Sequence, residues 1–210
     1  MDLMRQLSDV RGRLHAHHLL GEGGSVSLRV PGKALMLWCA AHGGEPQAME
    51  LGEAQGDAAL HAAVYLGRAD AGAVALGGGD FTRVLGGFGG DLPQVFDEQA
   101  RHLGRTATPL PAVNGALADE ARRCLATGGN LWICAQRVLV LGTTAQRLVL
   151  NAELAEKCAK AYVLAAGTGA RVDTLPWWVC HIANGRLRKD QRRAAEHFAR
   201  GELPDESNGY

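Results

Sequence analysis

Apolar side chains recur at intervals of three and four residues in several segments, which is the spacing of one face of an α-helix. Together with helix-start and helix-stop residues, this pattern predicts helices over 1–20, 57–67, 92–104, 118–128, 151–169 and roughly 184–200. Gly21 follows the first of these helices and Gly104 ends the third, both as stop signals. Asn151 is suited to cap the fifth helix.

Strand patterns occupy much of the sequence between these helices. They lie at 25–30, 34–39, 71–77 and 131–142. The first is joined to the second by Pro-Gly-Lys, which predicts a β-hairpin. The last forms either two short strands around a tight turn or one bent strand. Because strands and helices interleave, we expect one α/β domain over 1–200, with helices on both faces of a sheet. A polar, disordered tail is expected at 201–210.

The composition is that of an ordinary globular protein. The chain has 210 residues, 47% apolar and 21% charged, and a domain of this size buries a core without a disulfide or metal. Its 22 basic and 22 acidic side chains balance, so charge gives no reason to expect nucleic acid or a membrane as a partner. No apolar run approaches the ~18–20 residues of a membrane helix. The N-terminal segment lacks the apolar core of a secretory signal.

Five cysteines are scattered along the chain, at positions 39, 124, 134, 158 and 180. No two of them form a Cys-x-x-Cys pair, which excludes a zinc knuckle and a thioredoxin-type site. Because their number is odd, at least one is unpaired. We therefore expect buried, reduced thiols in a cytoplasmic protein, with Cys134 and Cys158 in the core.

Four segments, taken in order, resemble the class II aldolase/adducin family. Residues 21–32, Gly-Glu-Gly-Gly-Ser-Val-Ser-Leu-Arg-Val-Pro-Gly, resemble its early Gly-Asn-x-Ser-x-Arg hairpin, and 61–76 resembles the helix that leads through Arg-Pro-Asp into a metal-binding strand. Residues 92–104 resemble the following helix, and 137–165 the last strand and long helix. The resemblance covers about 1–170. It implies a mixed, mainly antiparallel sheet between helical layers, and a homotetramer with active sites at subunit boundaries.

In that family three imidazoles hold a divalent ion, commonly zinc, which stabilises an enediolate while a glutamate moves the proton. The paired histidines fall on Leu76 and Gly78, and the third on Gln136. The glutamate falls on or near Asp57, which is one methylene shorter. The resemblance therefore implies that the zinc site is dismantled, and neither a metal nor another cofactor is expected.

Several positions are left that could hold a small ligand. The asparagine that helps hold the substrate phosphate in the family falls on Ser25, beside Gly24. The glycine-rich segment 77–90 lacks Gly-Lys-Ser/Thr and is no Walker loop, although its backbone amides together with Arg83 could cradle an anion. The predicted ligand-binding residues are accordingly Gly24, Ser25, Arg83 and Gln136.

Two enzymatic alternatives stay open. In the first, Asp57 and His61, one helical turn apart, act as acid and base, and a hydrogen bond between them orients His61 or raises its pKa. Arg83 or Arg137 would then clamp the anion of a sugar phosphate or hydroxy acid. In the second, a divalent metal has relocated ligands. These would be drawn from His42, His61 and His102. His15, His17 and His18 are expected to be exposed at a helix end.

The sequence favours a metal-free relative of the class II aldolases that binds a small ligand or serves in assembly. The alternative is a carbon–carbon lyase or sugar-phosphate epimerase with a rebuilt site. Trp177 and Trp178 are expected at a subunit interface. The basic helix 186–193 is expected to be solvated or paired across subunits, and not to bind nucleic acid.

Overall fold

The computed structural model describes residues 2–88, 91–105, 108–110, 112–113, 116–117, 123–134 and 136–205. The strands are β1 (Ser25–Val30), β2 (Leu35–Ala40), β3 (Gln47–Glu50), β4 (Ala73–Gly77), β5 (Ala112–Val113), β6 (Ala116–Leu117), β7 (Leu131–Cys134) and β8 (Arg137–Gly142). The helices are α1 (Leu3–Ala16), α2 (Asp57–Gly67), α3 (Asp80–Val84), α4 (Asp97–His102), α5 (Ala145–Gly167) and α6 (Trp177–Ala199). A short 3-10 helix, Leu85–Phe88, follows α3.

Six of the strands form one sheet in the order β3-β2-β1-β4-β8-β7. Neighbouring strands in this sheet are antiparallel. β1 and β2 form the predicted hairpin, in which Val30 lies opposite Leu35 across the turn. β7 and β8 form a second tight hairpin, which decides between the two interpretations of 131–142. β5 and β6 pair separately.

Alternate side chains of the central strands enter different cores, because successive residues of a strand point to opposite faces of the sheet. In β4, Ala73 and Ala75 pack with α1 and α5, whereas Val74 and Leu76 pack with α2. Every residue of β4 is buried, since helices cover both faces of the sheet. This layered arrangement confirms the predicted α/β fold class.

The ends of three predicted helices differ from the structure. α1 ends at Ala16, and His18 then adopts a left-handed conformation with φ of 56°. α4 begins at Asp97, five residues after the predicted start at 92. α6 begins at Trp177, seven residues before the predicted start at 184.

Asn151 does not cap a helix. α5 begins six residues earlier, where Thr144 accepts a hydrogen bond from the amide of Arg147 at 3.2 Å. Asn151 is buried inside the helix, and its side-chain amide donates to the carbonyl of Leu141 at 2.6 Å. This residue therefore ties α5 to the end of β8.

Several other predictions are resolved by the described residues. α2 spans 57–67 as predicted, and Cys134 and Cys158 are in the core, where burial raises the pKa of each thiol to about 12. Of the predicted helix 118–128, residues 123–125 are helical and 118–122 lie outside the description, as do tail residues 206–210. Within the described part of the chain, none of the helices has the length and apolar character needed to cross a bilayer.

Candidate functional site

A buried polar network joins β1 to α2. Ser25 and Ser27 alternate with core residues on β1 and face α2, where His61 and Tyr65 lie one turn apart. The Oγ atom of Ser25 lies 2.9 Å from Nε2 of His61, and that of Ser27 lies 2.7 Å from Nδ1. Ser27 Oγ also lies 2.8 Å from the hydroxyl of Tyr65.

Burial sets the protonation of this network. His61 is fully buried, and the loss of solvation lowers its pKa to about 3. Burial likewise raises the pKa of Tyr65 above its ordinary value. Both groups are therefore neutral near pH 7, and both imidazole nitrogens are engaged by serine hydroxyls. The network fastens α2 to the sheet.

The expected hydrogen bond between Asp57 and His61 is not formed, and the expected rise in the pKa of His61 is wrong. The carboxylate of Asp57 instead accepts two hydrogen bonds from Arg137, at 2.7 and 2.9 Å. Arg137 also donates to the carbonyl of Gly23 at 3.1 Å. The hydrogen bond from Arg137 lowers the pKa of Asp57, and the same pair raises the pKa of Arg137. The ion pair links α2, β8 and the segment before β1.

The three positions that the resemblance predicts as counterparts of the family's metal ligands offer no imidazole. Leu76 is fully buried in the core beneath α2. Gly78 has φ of 111°, and a β-carbon there would lie 2.8 Å from both Thr82 Oγ1 and Val138 Cγ2, so a larger side chain has no room. Gln136 is exposed in the turn between β7 and β8. These residues do not fit a site built from three histidines.

The relocated metal ligands are not brought together. Among the described residues, no group of three His, Cys, Asp or Glu side chains has an arrangement that could hold a metal ion. His61 is enclosed by serines, and Nδ1 of His102 lies 3.2 Å from Nη1 of Arg147. Burial, reinforced by Arg147, lowers the pKa of His102 to about 4. The set His42, His61 and His102 therefore forms no site.

A cleft lies where the end of α1, the segment before β1 and the start of α3 meet, and Gly78 is among its lining residues. Its volume is about 590 Å³, and we call it the histidine cleft. Its charged and titratable side chains are His15, His18, Glu22, His42, Asp80 and Arg83. The rings of His15 and His42 meet edge to face, with centroids 5.2 Å apart. The sequence pattern does not indicate this convergence, because His42 follows β2 and lies far along the chain from His15.

Arg83 is held in this cleft by backbone geometry. Gly21 has φ of 59°, and a β-carbon there would lie 3.4 Å from Nη1 of Arg83 and 3.2 Å from the carbonyl oxygen of Gly78. Because glycine has no β-carbon, the side chain of Arg83 can pack closely against the backbone at position 21. Arg83 forms no ion pair with any residue that the structure describes, so its charge is available to a ligand.

The short helix that carries Arg83 depends on a distant residue. Glu156 on α5 accepts hydrogen bonds from the amides of Phe81 and Thr82, at 2.7 and 3.0 Å, and from the hydroxyl of Thr82 at 2.9 Å. A carboxylate at a helix start satisfies free amides and favours the helix dipole. A β-carbon at Gly79 would lie 2.6 Å from Glu156 Oε2, so glycine is required for this approach.

Of the four predicted ligand-binding residues, Arg83 lines the histidine cleft. Gly24 is buried, and a β-carbon there would collide with the carbonyl of Leu20. Its own carbonyl accepts a hydrogen bond from the amide of Ala41 at 2.8 Å. Ser25 faces His61. Gln136 lies next to Arg137 in the chain, beside the Asp57–Arg137 pair. His15 and His18 are exposed at the end of α1, as expected, whereas Glu22 and Asp80 carry no local signal in the sequence.

The strand order and the helical layers define a class II aldolase-like fold. A solved L-fuculose 1-phosphate aldolase is similar with a TM-score of 0.73 and 17% identity, over 88% of this chain and 94% of that one. YgbL from Escherichia coli has a TM-score of 0.69 and 14% identity, over 87% and 97%. The L-fuculose-1-phosphate aldolase of Thermus thermophilus has a TM-score of 0.62 and 17% identity, over 80% and 98%.

No model of a protein family matches the chain, and no curated protein matches it either. At identities below one fifth, the likeness to the solved structures establishes the fold and leaves the chemistry to the residues of the site.

Proposed function

We propose that this chain is a class II aldolase-like protein that binds a small anionic ligand in the histidine cleft, without metal-dependent lyase chemistry. The ligand class is a sugar phosphate or a hydroxy acid. The observation that carries the proposal is Arg83, which has no ion-pair partner among the described residues and lines the same cleft as three imidazoles.

The mixture of groups in the cleft supports that ligand class. The Arg83 guanidinium matches the geometry of a phosphate or carboxylate, and imidazoles of His15, His18 and His42 can add hydrogen bonds. The carboxylates of Glu22 and Asp80 can accept hydrogen bonds from sugar hydroxyls. A volume of about 590 Å³ is in the range of small-molecule sites.

The residues at the positions predicted to correspond to the family's metal ligands and proton-transferring glutamate support the proposal that lyase activity is absent. A cation stabilises the negative charge of an enediolate, and Leu76, Gly78 and Gln136 offer no imidazole to hold one. The carboxylate nearest to the position of the proton-transferring glutamate, Asp57, is bound by Arg137 through both oxygens. A carboxylate whose pKa is lowered in this way is a poor proton acceptor.

The rebuilt acid–base enzyme gains no support from the geometry. An acid or base must reach the proton that it transfers, and His61 is fully buried with both nitrogens bound to serines. We therefore place the ligand at Arg83 and assign to His61 and Asp57 the task of holding α2 against the sheet.

Calorimetric titration with L-fuculose 1-phosphate, in buffer containing EDTA, tests the proposal. We expect saturable binding by the wild type. Arg83→Gln removes a charge-assisted hydrogen bond and is expected to weaken binding roughly tenfold or more. Arg193→Gln, an equal charge change on an exposed residue outside the cleft, is the matched control.

Two results would contradict the proposal. One is binding that Arg83→Gln and Arg193→Gln weaken equally. The other is binding that requires an added divalent metal and is accompanied by cleavage of the sugar phosphate.

We further propose that the protein is a homo-oligomer located in the cytoplasm. Large apolar side chains at the start of α6 are exposed, with relative accessibilities of 78% for Trp177, 55% for Trp178 and 54% for Ile182. Exposed aromatic clusters of this kind favour contact with another protein surface. The buried thiols of Cys39, Cys134 and Cys158 are suited to a reducing compartment.

A further inference from the structure

A second cleft lies between α6, the turn after residues 123–125 and the loop after α2. Its volume is about 680 Å³, and its charged side chains are Asp70, Arg105, Arg188 and Arg192. We call it the arginine cleft. Arg188 and Arg192 are four residues apart on α6 and therefore lie on one face of that helix. Arg105 approaches from the end of α4.

Buried hydrogen bonds build the floor of the arginine cleft. Arg68, which is 5% exposed, donates to both carboxylate oxygens of Asp70 at 2.8 Å and to the carbonyl of Gly129 at 2.6 Å. Gln191 on α6 donates to the carbonyl of Gly128 at 2.7 Å and lies 3.3 Å from Oδ1 of Asn130. Gln191 therefore ties α6 to the segment 128–130, and Arg68 ties the loop after α2 to the same segment.

The positive charges of the three arginines that line the cleft, Arg105, Arg188 and Arg192, are not compensated by the described residues. Asp70 is already paired with Arg68. Asp190, the acidic residue of α6 between Arg188 and Arg192, is bound to Arg101 at 2.6 Å. Arg105, Arg188 and Arg192 form no ion pair with any residue in the described ranges. Three like charges in one cleft repel one another unless an anion binds among them.

We propose that the arginine cleft is a binding site for a small molecule that carries a diphosphate or two phosphate groups. Guanidinium groups bind phosphate oxygens in pairs, and three of them match more than one phosphate. The cleft has the volume of a small-molecule site. It shares no lining residue with the histidine cleft, so the two proposals are independent.

Titration with inorganic pyrophosphate tests this proposal, at constant ionic strength and in an Arg83→Gln background that weakens the histidine cleft. We expect saturable binding, and we expect Arg188→Gln/Arg192→Gln to weaken it about tenfold or more. Lys189→Gln/Arg193→Gln makes the same change in charge on the same helix, outside the cleft lining, and is expected to leave the affinity within about twofold. Both double variants are expected to keep the thermal midpoint of their background.

Three outcomes would overturn the proposal. The first is no saturable pyrophosphate binding in the Arg83→Gln background. The second is equal weakening by both double variants, which would indicate attraction by net charge alone. The third is a single-stranded oligonucleotide that binds more tightly than pyrophosphate and gains affinity with length, which would assign the surface to nucleic acid.

Discussion

His61 is a neutral side chain in the folded protein and a cation in the acid-unfolded chain. Burial lowers its pKa to about 3, whereas an unperturbed histidine has a pKa of about 6.5. Between these values the unfolded chain binds a proton that the folded protein does not. The contribution of the neutral, buried His61 to the free energy of unfolding is therefore complete above about pH 6.5 and is lost as the pH falls toward 3.

The first prediction concerns that residue. Replacement of His61 by Gln leaves serine hydroxyls imperfectly paired, so we expect the free energy of unfolding near pH 7 to fall by about 1–3 kcal/mol. The variant is also expected to lose less stability than the wild type between about pH 7 and pH 5, because its buried group does not titrate. Urea unfolding at both pH values measures this. The exposed His17→Gln variant is the control, and parallel pH profiles for His61→Gln and wild type would refute the account.

The second prediction concerns the Asp57–Arg137 pair. Both side chains are about one-third exposed, so a double-mutant cycle with Asp57→Asn and Arg137→Gln is expected to give a coupling energy of at most about 1 kcal/mol near pH 7. The pKa of Asp57 is lowered on folding. Its contribution is thus present above the unfolded pKa of about 3.9 and is lost as the pH falls through the folded value. A coupling energy that is the same near pH 7 and pH 3 would contradict this assignment.

At the residue scale, the sequence predicts that the expected metal-ligand positions carry no imidazole. It does not predict which partners Asp57 and the histidines contact instead. The chemistry of Leu76 or Gly78 follows from residue type alone. The partner of Asp57 does not, because Arg137 is brought to it by pairing of β4 with β8. The same holds for the histidine cleft, where His15 and His42 meet only after α1 packs against the hairpin.

Among the elements, α3 is the one that most clearly depends on tertiary contact. It has five residues, too few to be stable alone, and its first amides are satisfied by Glu156. Because α3 carries Arg83, the carboxylate of Glu156 positions the proposed anion-binding residue.

The third prediction follows from this dependence. Glu156→Ala is expected to lower the free energy of unfolding by about 1–2 kcal/mol and to increase hydrogen exchange at the amides of Phe81 and Thr82. Glu153→Ala on the same helix removes a partly exposed carboxylate near Arg13 and His17 and is the matched control. If both variants exchanged at residues 80–84 as slowly as wild type, Glu156 would not be the cap.

The elements that the sequence predicts well are those with a complete local pattern. The β1–β2 hairpin has alternation and a turn, and α2 has apolar residues on one face. By contrast, β3 is an edge strand with mostly exposed side chains, so it shows no alternation. The start of α5 differs from the prediction because Asn151, a good capping residue by type, instead makes a buried tertiary hydrogen bond. Residue type alone does not show whether an asparagine caps a helix or makes a buried tertiary hydrogen bond.

For the whole molecule, the exposed start of α6 is the basis of the fourth prediction. Light scattering is expected to give a mass at least twice that of the 22.2 kDa chain, and Trp177→Ser/Trp178→Ser is expected to shift the population toward smaller species. A variant with Leu164→Ser, which alters another exposed apolar residue on α5, is the control. A monomeric wild type at high concentration would refute the assembly proposal.

We propose that this protein has the class II aldolase-like fold but does not bind the divalent cation that the class II aldolase/adducin family uses. Elemental analysis of protein purified without a histidine tag, after equilibration with zinc, manganese and cobalt and gel filtration, tests it most directly. The positions that would hold the ion carry Leu76, Gly78 and Gln136, so we expect far less than one ion per chain for every metal. One tightly held zinc, manganese or cobalt ion per chain would contradict the account.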